Sequence, residues 1–85
     1  MTDKSQPAAT LRDGAIKATI WKNAAKDADK NDFYSVNIVR GYQDQDGNWK
    51  DTTSFSGAEL LRVSNLAQRS YNKILQLRAQ DGAEA

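Results

Sequence analysis

The sequence predicts an α+β fold in which four antiparallel strands form a meander and one long C-terminal helix follows, a ββββα order. Three observations carry this expectation. Apolar and polar residues alternate with a period of two in residues 15–21 and 33–42, Asp-Gly pairs fall at 13–14 and 46–47 where strands would reverse, and residues 56–80 open on a capping signature and continue with apolar residues at steps of three and four. A chain of 85 residues has room for one domain, read as residues 10–80 between two flexible tails. Residues 1–9 hold the only Pro and show no periodicity, and residues 81–85 are acidic and Ala-rich.

Taken in order, Thr10-Leu11-Arg12 is a short extended piece and Asp13-Gly14 a turn. Residues 15–21 then set Ile16, Ala18 and Ile20 on one side against Lys17, Thr19 and Trp21 on the other. Residues 23–32 (NAAKDADKND) are dense in Asp and Asn and read as a loop, with a single Ala-rich helical turn as the alternative. Residues 33–42 return to period two. Tyr34, Val36, Ile38, Arg40 and Tyr42 share one face, Phe33, Ser35, Asn37, Val39 and Gly41 the other, and Val36 and Ile38 are expected in the core. Asp46-Gly47 supplies the positive φ of a tight hairpin, and residues 48–55 run back with Thr52 and Thr53 as β-formers.

Ser56-Gly57-Ala58-Glu59 has the form of a capping box, in which the serine hydroxyl accepts from the Glu59 amide and the glutamate reaches back to the Ser56 amide. From there Leu60, Val63, Ala67, Tyr71, Ile74 and Arg78 recur at helical spacing, Leu66 and Leu77 widen the stripe, and Gly82 marks a stop. Arg62, Arg69, Lys73 and Arg78 lie along the helix, three of them in its later half where cations suit the macrodipole. The apolar stripe is wider than one small sheet needs. A homodimer through the helices is therefore expected, with Leu60, Val63, Leu66, Ala67, Tyr71, Ile74 and Leu77 as core and interface. One helix also leaves the second face of the sheet open, to be covered by a partner or a ligand.

The absence of Cys and His removes thiol nucleophiles, imidazole bases, disulfides and the commonest zinc ligands, so neither an enzyme nor a metal or cofactor site is expected. Asp44-Gln45-Asp46-Gly47 does not fit a calcium loop, because its glycine comes early and no glutamate closes twelve residues. Asp27, Asp29 and Asp32 alternate with Lys26 and Lys30 and read as a solvated loop. No apolar run approaches the roughly 20 residues that cross a bilayer, and MTDKSQPAAT lacks a signal-peptide core, so a cytoplasmic location is expected, with association with the nucleoid as an option within it. Residues 10–80 carry eleven cations against eight acids, a net +3 that permits a polyanionic partner without requiring one.

Trp21, Tyr42 and Trp49 are interleaved with Lys17, Lys22, Arg40 and Lys50, and Lys26 and Lys30 follow in the loop. That mixture suits sequence-tolerant binding of a nucleic-acid single strand, DNA or RNA, since every base offers a stackable face and cations track phosphates. Its rival is a structural reading in which the aromatics cover strand ends or a dimer seam. A protein-interaction module that uses the open face or an edge strand is the alternative function.

The segments TLRDGAIKATIW, FYSVNIVRGYQDQDGNWK and SFSGAELLRVSNLAQRSYNKIL, spanning about residues 10–80, resemble the single-stranded-DNA-binding domain of the transcriptional positive cofactor four family. The resemblance implies four antiparallel strands and a C-terminal helix, a homodimer through the helices, and single strands laid across the sheets in transcription, replication or repair. It implies that Trp21, Lys22 and Tyr42 contact DNA, and that Ile38 to Tyr42, Asp44 to Gly47 and Lys50 correspond to the family's hairpin. Val39 takes the place of the family's strand arginine, with Arg40 its neighbour. Residues 23–32 are longer than the family's basic turn, and Asp51-Thr52-Thr53-Ser54 replaces its Lys-rich approach to the helix.

Overall fold

A computed structural model describes residues 6–23 and 33–84. The fold is α+β: β1 (Ala9–Asp13), β2 (Ile16–Asn23), β3 (Phe33–Gln43) and β4 (Trp49–Thr52) form one antiparallel sheet in the order β1-β2-β3-β4, followed by α1 (Leu60–Glu84). The expected tail at 1–5 and the loop at 24–32, with Lys26 and Lys30, lie outside the described residues.

The strands form where the alternation is strongest, and the hydrophobic set fixes their register, since a slip of one residue would turn Ile16, Ala18 and Ile20 away from the helix. These three are buried, as is Leu66 of α1. Leu11, Val36, Ile38, Phe55 and Val63 pack against this cluster. The helix lies on β1, β2 and β3 and leaves β4 beyond its edge. Glycine is needed at both turns. Gly14 takes φ +65° in the two-residue connection of β1 and β2, and Gly47 takes φ +84° before β4.

Four boundaries differ from the sequence expectation. Ala9 belongs to β1, and the Ala8 N–H donates to the Ile20 carbonyl at 2.7 Å, so pairing starts inside the expected tail. The second hairpin closes over residues 44–48 rather than at Asp46-Gly47 alone: the Asp44 carboxylate accepts from the amides of Asp46 and Asn48, both at 2.9 Å. β4 keeps only four of the residues expected over 48–55, because the chain after Thr52 turns away over the Thr52 hydroxyl, which accepts from the Ser54 amide at 3.1 Å.

The third and fourth differences are the two helix ends. Only half of the capping box forms: the Ser56 N–H donates to Glu59 Oε1 at 2.8 Å, while the Glu59 N–H donates to the Ser56 carbonyl at 3.0 Å instead of the hydroxyl. Residues 57–59 therefore make tight turns and the regular helix begins at Leu60. At the other end Gly82 does not stop the helix, which runs to Glu84. Asp81 explains its persistence, since its carboxylate accepts from the Tyr34 hydroxyl at 2.6 Å and pairs with the Lys22 ammonium at 3.2 Å.

Candidate nucleic-acid interface

Residues paired across an antiparallel ladder point to the same face, so the register divides the expected binding residues between the two faces of the sheet. The face that carries the helix follows Ile16, Ala18 and Ile20. It takes Lys22 with its partner Tyr34, Arg40 opposite Ile16 and Thr52, and Tyr42 opposite Lys50. The open face takes Lys17, Thr19, Trp21 and Asn23 of β2, Phe33, Ser35, Asn37, Val39, Gly41 and Gln43 of β3, Trp49 and Asp51 of β4, and Thr10 and Arg12 of β1.

Lys17, Trp21 and Trp49 thus share one surface, while Lys22, Arg40, Tyr42 and Lys50 do not belong to it. Sequence reasoning treated the two sets as one, although the period-two pattern already set Arg40 and Tyr42 with Val36 and Ile38 and put Lys17 and Trp21 opposite Ile16, Ala18 and Ile20; the register adds that Lys50 stands opposite Tyr42 and Lys22 opposite Tyr34 on the helix side. The four on the helix side are engaged within the chain. Arg40 Nε stands 3.2 Å from Glu59 Oε1, its Nη2 donates to the Ser54 carbonyl at 3.4 Å, and its guanidinium lies 5.9 Å from the centre of the Tyr42 ring. Nε is buried and not aligned for a hydrogen bond, so its pairing with Glu59 is one of charge. Lys50 pairs with Asp44 at 3.5 Å, and Lys22 with Asp81.

These contacts set the carboxylates they touch. Glu59 is held below the usual glutamate range, first by the Ser56 amide and then by the Ser56 hydroxyl and the charges of Arg40 and Arg62. Asp81 is lowered by the Tyr34 hydroxyl and then by Lys22. Both groups brace the helix ends against the sheet, which is a structural assignment.

The open face is differently furnished. Trp49 is 72% and Phe33 57% exposed, and Trp21 is half-buried. The Trp49 ring leans toward Gly41, its Cε3 lying 3.9 Å from where a Cβ on that glycine would stand, which orients the indole along the sheet. Trp49 is level with Gln43 and Trp21 with Ser35, eight residues apart on β3, or about 27 Å at 3.4 Å per residue. Lys17, level with Val39, lies midway. Phe33 and Arg12 were not nominated by sequence reasoning, although the period-two pattern already placed Phe33 opposite the core face.

The expected dimer residues also divide. Leu66 is in the chain's own core, and Val63, Ile74 and Leu77 are half-buried beneath the helix. Leu60, Ala67 and Tyr71 are exposed, and Leu61 and Leu75 join them, at 79% and 47% exposure. The outer side of α1 is an exposed apolar strip that no other described element covers.

Among the described residues no group of acids could hold a metal ion, and no helix is long and apolar enough to cross a membrane. Comparison of the chain with protein-family models, with curated proteins and with solved structures finds no match in any of the three.

Proposed function

We propose that the protein is a non-enzymatic binder of nucleic-acid single strands, DNA or RNA, which lie on the open face of the sheet. The observation that carries this reading is the placement of Trp21, Phe33 and Trp49 on one uncovered face with Lys17 between them. Exposed aromatics cost free energy in water and gain it when a base stacks on them, about 1–3 kcal/mol per base, and stacking tolerates any base. The cations supply phosphate attraction, which is also independent of sequence. The sequence resemblance to the positive cofactor four family favours the same reading and a role in transcription, replication or repair, at a cytoplasmic location where nucleic acid is within reach.

The reading includes a homodimer through the uncovered strip of α1, where Leu60, Leu61, Tyr71 and Leu75 would otherwise face water. Fluorescence anisotropy with a labelled oligonucleotide of about 20 bases, single-stranded and as duplex, tests the binding. Preference for the single strand, with affinity falling as salt rises, is the expected result. Absence of binding at low salt would overturn the reading in favour of a protein-interaction module on the same fold.

A further inference from the structure

We infer that Arg12 and Lys17 together form a phosphate anchor at the middle of the open face, which fixes where a bound strand crosses the sheet. The inference rests on the nucleic-acid reading and adds to it a residue, Arg12, and a position. Arg12 and Lys17 are directly paired across β1 and β2, so two cations stand opposite one another on the same face. Cross-strand partners have Cβ atoms about 4.5–5.5 Å apart, and like charges in that position repel. Proteins usually relieve such a pair with an acid. Here neither side chain makes an ion pair among the described residues, whereas Lys22, Arg40, Lys50 and Arg62 all do.

The surroundings suit an oxyanion. The neighbours of the pair on this face are Val39, level with Lys17, and the hydroxyl-bearing Thr10 and Thr19 one step along the same strands. Asp51, the acid of this face, is level with Gly41 on the far side of β3. A phosphate between the two cations would convert their mutual repulsion into two charge-assisted contacts, with the arginine offering a planar fork and the lysine a point charge. Mutual repulsion that no acid relieves among the described residues marks the pair as a seat for an anion.

The position has a geometric consequence. With the anchor level with the midpoint between Trp49 and Trp21, a strand held there reaches a stacking aromatic on either side, each about 14 Å off along the strand direction by four residue steps of 3.4 Å, with Trp49 also two strands, about 10 Å, to the side of Lys17. At the 3.4 Å per nucleotide of a stacked strand the span is about eight nucleotides, within the 4–16 common for small single-strand sites.

The test uses the whole chain with Arg12→Gln, Lys17→Gln and the double substitution. Inorganic phosphate at fixed ionic strength, set against chloride, should raise the Tm of the parent protein and leave that of the double variant unchanged; equal responses would overturn the anchor. In oligonucleotide titrations the double variant should lower the magnitude of the slope of log affinity against log salt by about 0.7, one shared phosphate, where two independent contacts would give about 1.4. Either an unchanged slope or a fall of 1.4, with oligonucleotide binding retained, refutes the shared anchor while leaving the nucleic-acid reading intact. If the parent binds no oligonucleotide, that reading fails, and the anchor stands or falls on the phosphate-specific change in Tm alone.

Discussion

Ser70→Ala is expected to stabilise the protein, against the usual direction of substitutions in a core. Ser70 is 1% exposed on the buried side of α1, one turn from Leu66 and one turn from Ile74, and its hydroxyl has no hydrogen-bond partner among the described residues. A buried hydroxyl left unpaired costs about 1–3 kcal/mol of lost hydration. Alanine removes that cost and gains about 0.5 kcal/mol of helix propensity. Against these stands a void of one oxygen atom, which costs less than the ~1 kcal/mol of a methyl-sized cavity. The net is a gain of about 1 kcal/mol, or a rise in Tm of roughly 4–8 °C for a domain of this size. Urea denaturation should show a higher midpoint at unchanged m. Leu66→Ala, a neighbour on the same face, should lose about 2–5 kcal/mol and calibrates the assay. A loss of 1 kcal/mol or more for Ser70→Ala would mean that the hydroxyl is satisfied, and the packing of helix on sheet would need revision.

Three further substitutions probe other contacts. Gly14→Ala should destabilise by about 1–2 kcal/mol, because φ is +65° there, and the added Cβ would also push aside the flexible Arg62 guanidinium that pairs with Asp13; a melt equal to the parent would contradict the turn geometry. Glu59→Gln should flatten the acid limb of the stability profile. A carboxylate with a lowered folded pKa contributes stability that is present above its unfolded pKa and lost as pH falls through the folded one, so parent and variant should diverge above the usual glutamate range and converge in stronger acid. Divergence that persists at low pH would point to a role other than charge. Tyr71→Asp, on the exposed strip, should give a monomer by light scattering at micromolar concentration with the fold retained by circular dichroism; a monomeric parent would remove the dimer.

The strands and the helix were legible because each is written in a period that only one structure satisfies: Ile16, Ala18 and Ile20 at steps of two, and Leu60, Val63, Ala67, Tyr71, Ile74 and Arg78 at steps of three and four. The side of the helix that packs was read less well, since the buried face follows Val63, Leu66, Ser70, Ile74 and Leu77 and leaves Leu60, Ala67, Tyr71 and Arg78 exposed. The helix ends were not legible. Ser56 and Glu59 had the composition of a capping box, yet Glu59 is also claimed by Arg40 from another strand, and Gly82 is overridden by the bond of Asp81 to Tyr34, 47 residues away. The candidate site was half legible. Trp21 and Trp49 are visible as aromatics by type, and alternation already set Trp21 away from Ile20 and Tyr42 beside Ile38, but that Trp21 and Trp49 share one face depends on register, and Arg12 gains its meaning only from being paired with Lys17. Long-range pairing is the information a local pattern lacks.

Tryptophan fluorescence tests the central claim most directly, because the only two tryptophans of the chain both lie on the open face. Trp21→Phe leaves Trp49 as sole reporter, and Trp49→Phe leaves Trp21. Each variant is titrated with a single strand of about 20 bases while anisotropy follows binding independently, and Tyr42→Ala serves as the control on the opposite face. The account predicts quenching of both reporters as bases stack on them, an affinity loss of roughly 5- to 150-fold for alanine at either tryptophan from about 1–3 kcal/mol of stacking, and near-parent affinity for Tyr42→Ala. Saturating anisotropy with neither tryptophan perturbed, or a Tyr42→Ala loss as large as that of the tryptophans, would place the strand on the other side of the sheet and contradict it.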